Sequence, residues 1–581
     1  MSETTDVTEV AGAGGSTAPR RPPRGARLAS AALLIAVLTV AARLAGFART
    51  LVFVHLVGDR DLGAVYQSAN TVPNIIFEIV AGGALASLVV PMLAGAVSRG
   101  DRPAVAATTS ALLTWVLTLL VPVAVVVAVA AEPIVRLLDP AAGPRAVTVG
   151  ADMLRVFAPQ LPLYGVGIVL TGVLQAHRRF AWPVLAPLLS SVTVMAAYAS
   201  FAVVAGRRPD VGHVNGVGIA VLSVGTTLGV VVLSLCLLVP LRRLGLLGLR
   251  PTYTFTAESA GTVRRLAAAG AVTVAAQQLT VGLTIVLANR GHTGTLVQFT
   301  LAQTVYLLPW AVLALPIATS AYPALAEAAA RDDRDTYAAT LAGATRGLVL
   351  LGCLGAAALA TLAPPLAWTL ASTTASPARV AAGIAGLAPG LLGYALFALL
   401  SRALYARGDT RHAAAATVIG WAGVALASLG LSAALPGAHR VTALALANSA
   451  GMLLLGALLI VLVARRAGPT AFAGLTRTLG AAVVAAAVAC GAGIGVRRLL
   501  WGDATPGVAG ALGQGMLSGA VVAVAFLGAA YVLDPRDVRP LLVGLVRKAA
   551  RVAGHRRAAP RAAEPEAAEP EAAERSERET Q

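Results

Sequence analysis

The sequence predicts an all-α polytopic membrane protein of about 14 transmembrane helices, and three observations carry that expectation. The 581 residues are 57% hydrophobic and only 12% charged, against roughly 25% charged in an ordinary soluble domain. Apolar runs long enough to cross a bilayer, about 20 residues each, recur from Leu28 to Leu533. The chain also repeats itself with an offset of 230 to 232 residues. A chain this poor in charge cannot cover its surface in water, so lipid takes the place of solvent over most of it.

By pattern and flanking charge the expected spans are 30–56, 64–97, 104–131, 149–176, 181–206, 213–240, 264–289, 294–326, 337–363, 380–406, 411–436, 440–464, 471–496 and 507–533. Arginines gather in the loops after even-numbered spans: Arg99/Arg102, Arg178/Arg179, Arg242/Arg243/Arg250, Arg331/Arg334, Arg407/Arg411 and Arg465/Arg466. Arg207/Arg208 and Arg497/Arg498 run against the trend. The balance puts both termini in the cytoplasm of a bacterial inner membrane. The net charge of +18 is explained by this positive-inside bias, and no nucleic-acid partner is expected.

Residues 1–27 are polar and end in Arg20, Arg21, Arg24 and Arg27. They are too long and polar for the start of a secretory signal and read as a disordered cytoplasmic arm. Residues 535–581 read as a cytoplasmic tail, basic and interfacial from Arg536 to Arg561, then acidic and disordered where Glu-Pro-Glu-Ala-Ala recurs.

The duplication rests on two matches. Val90-Pro91-Met92-Leu93-Ala94 with Arg99-Gly100-Asp101-Arg102 corresponds to Tyr322-Pro323-Ala324-Leu325-Ala326 with Arg331-Asp332-Asp333-Arg334, 232 residues later. Ala158-Pro159-x-Leu161-x-x-Tyr164 recurs as Ala388-Pro389-x-Leu391-x-x-Tyr394, 230 residues later. An offset of about six helices preserves orientation. It implies two six-helix lobes, 28–243 and 244–466, related by a pseudo-two-fold axis along the membrane normal, with 467–534 as two extra helices.

Several chemistries are missing. Lys548 is the sole lysine, with no glycine-rich run before it, so the chain has no phosphate-binding P-loop. None of the seven histidines forms HExxH, and Cys236, Cys353 and Cys490 lie in separate apolar runs. No metal, cofactor or catalytic constellation is expected, and the protein is read as a non-enzyme.

Charges within the spans are costly and mark functional candidates. Arg43 and Arg49 lie in the first span, about 9 Å apart along a helix and on different faces. Each could meet a different part of a bulky anion. In a second reading Arg49 snorkels or pairs with Glu78. Glu78 follows Pro73-Asn74 and precedes Gly82 and Gly83, in a stretch where proline removes a backbone donor. Asp152 and Arg155 are placed to pair across one turn. Arg264/Arg265 and Arg346, at span starts, read as snorkelling. The second half offers Gln277, Gln278, Gln298, Gln303 and Asn448 as its main polar groups, so positive charge concentrates in the first half, as suits an anionic headgroup.

Three blocks carry a family resemblance: Ala42-Arg43-Leu44-Ala45-Gly46-Phe47-Ala48-Arg49; Ala69-Asn70-Thr71-Val72-Pro73-Asn74-Ile75-Ile76; and Gly83-Ala84 with Val90-Pro91. With Leu174-Gln175-Ala176 and Leu404-Tyr405-Ala406-Arg407-Gly408-Asp409-Thr410 they resemble the MurJ/MviN lipid II flippases, within the MOP transporter superfamily, over about residues 30–533. The arginine-rich, lysine-poor composition suggests an actinobacterium. The resemblance implies fourteen helices in two lobes, a cationic cavity and alternating access. It implies an undecaprenyl-pyrophosphate-linked peptidoglycan precursor as substrate, with membrane lipids and cell-wall synthesis proteins as partners. Cavity positions then fall at Arg43, Arg49, Asn74, Glu78 and Gln303. The sequence departs from the family at Ala64, where an aspartate is usual, at Phe77, where an arginine is expected, and at Gln303, Thr304 and Leu307, where Asp-Arg and a glutamate are usual. These departures keep open a flippase for another polyprenyl-linked glycan, or a cation-coupled multidrug antiporter.

Overall fold

The computed structural model describes the backbone of residues 24–79, 86–246, 250–254, 257–371, 376–502 and 507–539, with position 543. Gly82, Gly83, most of the 1–27 arm and nearly all of the 535–581 tail lie outside the described residues, as do the side chains of Arg264 and Arg265.

The first half contains α1 (Arg24–Leu56), α2 (Asp61–Phe77), α3 (Ala86–Ser98), α4 (Arg102–Val129), α5 (Ala131–Leu138), α6 (Pro144–Phe157), α7 (Gln160–Ala176), α8 (Ala181–Ala205), α9 (Gly216–Leu235) and α10 (Leu238–Arg243). The second contains α11 (Ala257–Asn289), α12 (Thr295–Pro309), α13 (Leu315–Ala330), α14 (Arg334–Ala371), α15 (Pro377–Leu387), α16 (Gly390–Ala406), α17 (Thr410–Ala434) and α18 (Arg440–Ala467). Then come α19 (Leu475–Trp501) and α20 (Val508–Leu533). No strand occurs among the described residues. Twelve helical segments there are long and apolar enough to cross a membrane, and the α15–α16 pair, bent by 45°, makes a thirteenth. The remaining expected span, 64–97, takes the form of α2 and α3 on either side of the undescribed residues 80–85.

The duplication is written into the turns. α3 and α13 end in one hydrogen-bond pattern: Asp101 N–H donates to Ala96 O and Gly100 N–H to Val97 O, while Asp333 N–H donates to Ala328 O and Asp332 N–H to Ala329 O. Gly100 has φ +70° and its counterpart Asp332 has φ +52°. The aspartates that follow cap the next helices, Asp101 Oδ1 accepting from Ala104 N–H and Asp333 Oδ1 from Thr336 N–H, each at 3.0 Å. α7 and α16, both 17 residues long, also end alike. Arg179 N–H donates to Leu174 O and Asp409 N–H to Leu404 O, with Arg178 (φ +57°) standing where the second copy has Gly408 (φ +73°).

The described chain divides into two compact units, one running to Thr304 with Leu435–Arg440, the other comprising Val305–Ser372, Ser376–Ala434 and the chain from Val441 onward. In the first, Val89, Leu93, Val105, Leu112, Val116, Leu120, Val169 and Leu174 form a fully buried apolar cluster between α3, α4 and α7. Here α11 and the start of α12 are stitched to the first-half helices. Asn289 Nδ2 donates to Ser68 Oγ at 3.1 Å and Leu138 O at 3.0 Å, and Gln298 Nε2 donates to the buried Asp59 carboxylate at 3.2 Å. Compactness thus carries the first unit beyond the repeat boundary at 243/244. In the second unit small residues set the spacing. A Cβ on Gly393 would sit 2.1 Å from Met452 O, and one on Gly451 would sit 2.6 Å from Val424 N, so α16, α17 and α18 cross at backbone contact.

Candidate functional site

α1 packs along α8, and α2 against α6 and α7. These contacts turn one face of α1 toward a wall of aromatic hydroxyls. Tyr66 of α2 and Tyr198 of α8 share a hydrogen bond of 2.9 Å, and Tyr66 bonds Thr226 of α9 at 2.9 Å. Thr226 Oγ1 donates onward to Leu222 O at 2.7 Å. Since Thr226 spends its proton there, the chain runs one way: Tyr198 donates to Tyr66, and Tyr66 donates to Thr226. Phe53 lies 5.1 Å from Tyr66 and 5.4 Å from Tyr198 by ring centroids, and Phe157 meets Tyr66 edge-on at 5.7 Å. Both tyrosines are buried, so the wall is rigid and dry behind its polar edge.

Arg49 is placed against this wall. Its charge acts on Tyr66, Tyr198 and Tyr164. Glu78 also acts on Tyr164, so the two charged groups share one tyrosine, yet no ion pair joins them among the described residues. The expected alternative, an Arg49–Glu78 pair, is not formed. Glu78 stands at the end of α2, its N–H donating to Asn74 O and Ile75 O. Asn74 Nδ2 donates to Asn70 O at 2.9 Å, which fixes its amide one turn before Glu78.

The structure therefore gathers Arg49, Asn74 and Glu78 around Tyr164. Arg43 is exposed on α1, about 9 Å along the axis from Arg49, and no contact ties it to the others. Gln303 is half-buried on α12 and likewise has no recorded contact with them. Asp152 pairs with Arg155 at 2.7 Å on an exposed face, which takes both out of the site. Among the described residues no group of three or more His, Cys, Asp or Glu could hold a metal ion.

The hydroxyl wall, Tyr66–Tyr198–Thr226, was not legible in sequence, because its members sit on three helices up to 160 positions apart. Tyr164 had one signal, its recurrence as Tyr394. Arg346 also departs from expectation. It does not snorkel but pairs with Asp537 at 3.0 Å and donates to Ala473 O at 2.7 Å. Thr478 Oγ1 donates to Asp537 at 2.7 Å and to Asp534 at 3.0 Å, and Arg477 pairs with Asp534 at 3.0 Å. This node clips the end of α20 to α14 and α19.

A guanidinium with no carboxylate partner, backed by neutral hydroxyls, is an acceptor-seeking cation. Its planar fork matches two oxygens of a phosphate or carboxylate.

The comparisons with known proteins point one way. A family profile described as lipid II flippase MurJ matches residues 53–507. A lipid II flippase MurJ of Burkholderia cenocepacia is 26% identical over 396 residues, covering 66% of this chain and 74% of the relative. A probable lipid II flippase MurJ of Haemophilus influenzae is 24% identical over 394 residues, covering 64% and 75%. Among solved structures, a lipid II flippase MurJ in an inward closed conformation superposes with a TM-score of 0.67 at 16% identity, covering 86% of this chain and 99% of that one. An inward-facing multidrug resistance MATE family transporter of the MOP superfamily gives 0.61 at 14% identity, covering 76% and 98%. At those identities the superpositions speak for the fold alone.

Proposed function

This chain belongs to the lipid II flippase MurJ family, and from that premise we propose that it carries a lipid-linked peptidoglycan precursor across the bacterial cytoplasmic membrane by alternating access. The observation that carries the reading is Arg49, a cation within a membrane span that meets tyrosine hydroxyls and has no carboxylate partner. In the proposed mechanism Arg49 holds the pyrophosphate, Arg43 meets the same anion lower on α1, and Asn74, Glu78 and Gln303 bond the sugars. The polyprenyl tail stays in the bilayer. No bond is made or broken, so the chain acts as a transporter and not as an enzyme.

The two sequence repeats act as the two lobes, 28–243 and 244–466, with 467–534 as an appended pair and both termini in the cytoplasm. The arginine bias of the even loops supports that orientation. An inside-negative potential assists outward movement of an anion by about 2.3 kcal/mol per charge per 100 mV. The likeness to the MATE transporter concerns the fold. An antiporter needs a free membrane carboxylate, and with Asp152 bound to Arg155 only Glu78 is left.

The test is lipid II flipping by Arg49→Ala in a strain depleted of the native protein. We expect normal membrane insertion and no flipping. Flipping at the native rate would overturn the assignment of the pyrophosphate to Arg49.

A further inference from the structure

Each half of the duplication contains a π-helical break at the equivalent position. α2 passes into π geometry at Glu78 and Ile79, and α12 passes into a π-helix at Trp310–Ala314. Glu78 and Trp310 are 232 positions apart, the same offset that relates Arg99 to Arg331. π-turns are rare and concentrate at functional sites. Two of them in register within one duplicated chain are a property of the architecture and not a local accident.

At each break an aromatic ring packs on the tyrosine that ends the repeated Ala-Pro-x-Leu-x-x-Tyr motif. Phe77 meets Tyr164 with ring centroids 4.7 Å apart and planes at 31°. Trp310 meets Tyr394 at 4.9 Å and 32°. The ring precedes the first π position in one half and occupies it in the other, so the contact is kept while its register shifts by one residue. Around the breaks the two copies differ: Pro73 stands against Val305, and Glu78 against Trp310. In the second half Tyr306 OH and Trp310 Nε1 are buried with no hydrogen-bond partner. An unpaired buried donor is costly, so this packing is one from which a rearrangement gains hydrogen bonds.

We propose that Tyr164 and Tyr394 are positioning residues, each holding the π-helical break of the helix that carries its half's site side chains. Releasing the ring lets the extra residue of the π-turn pass along the helix. That rotates the flanking segment by about 100° and redirects Glu78 in one half and the Gln303 end of α12 in the other. The role in transport rests on the flippase reading; the tether itself does not.

The experiment uses the full chain with its three cysteines replaced. Spin labels at Asp61 and Ser98 bracket the first break, and labels at Thr293 and Arg331 bracket the second. Pulsed electron paramagnetic resonance reads the distances without substrate, and lipid II flipping is measured in parallel. Tyr164→Leu and Tyr394→Leu should each broaden their own distance distribution and lower flipping at least tenfold, while Tyr164→Phe and Tyr394→Phe, which keep the ring, leave both unchanged. Phe77→Leu approaches the same contact from the other side if Tyr164→Leu fails to fold. Unchanged distances in the leucine variants, or broadened distances with native flipping, would overturn the proposal. Distances that respond in a protein whose native form moves no lipid II would leave the tether standing and sink the flippase reading.

Discussion

A guanidinium inside a bilayer needs an acceptor, and Arg49 has tyrosines in place of carboxylates. That choice leaves its charge available to a ligand. A carboxylate at Tyr198 or Tyr66 would have neutralised it in place. Arg49→Lys keeps the charge but loses the planar two-donor fork. Flipping should fall at least tenfold with insertion intact, as read by leaflet accessibility of lipid II. The motif holding Arg43 and Arg49 was legible in sequence because charge stands out in an apolar run. Its surroundings were not, since the hydroxyl wall is assembled from α2, α8 and α9. At the same scale the repeat makes a stability prediction. Arg178 and Asp332 adopt left-handed backbone where the other copy has Gly408 and Gly100, a conformation that costs an L-residue about 1–2 kcal/mol. Arg178→Gly and Asp332→Gly should therefore raise thermal stability in detergent slightly, or leave it unchanged, where glycine elsewhere in a helix lowers it.

Between residue and fold stand the joints. Every expected span meets a helix or a broken pair of helices, because hydropathy fixes where a chain can cross a membrane. Hydropathy is silent on how a crossing is interrupted, so the 45° bend between α15 and α16 and the π-turns emerged only in three dimensions. Two joints outside the spans are built on carboxylates. Asp409 accepts from His412 at 2.6 Å and pairs with Arg466 at 3.0 Å. Burial pushes its pKa up, but the hydrogen bonds and charges of His412 and Arg466 prevail and hold it below the ordinary carboxylate value. At Asp537 burial also pushes up, and Thr478, Arg346 and Arg477 outweigh it. A pKa lower folded than unfolded stabilises fully above the unfolded value, about 4, and that stability is lost as pH falls through the folded value. Thermal stability should thus drop on acidification below about pH 4, and Asp409→Asn and Asp537→Asn should each flatten that drop while lowering stability at pH 7. A slope unchanged in both variants would deny these joints their role. Close packing makes a separate demand. Gly393→Ala forces a methyl onto Met452 O and should destabilise by about 1–3 kcal/mol, measured as a lower melting temperature in detergent.

The whole molecule is two compact units carrying one duplicated plan. The repeat was visible in sequence at two motifs, and the matching turns, caps and π-turns extend it through the backbone. Divergence between the copies is concentrated in charge: the first half keeps Arg43, Arg49 and Glu78 within its spans, while the second presents Gln303, Tyr306 and Trp310 over the corresponding stretch of α12. The family relation through residues 53–507 and a one-sided distribution of cations together make the transport of a lipid-linked anion the central claim. Its most direct test is to deplete the protein and ask, with a reagent confined to the outside, which leaflet holds lipid II. The account predicts that lipid II accumulates on the cytoplasmic side, and that the native chain reverses this while Arg49→Ala does not. Unchanged lipid II topology on depletion would contradict it and direct attention to another polyprenyl-linked glycan.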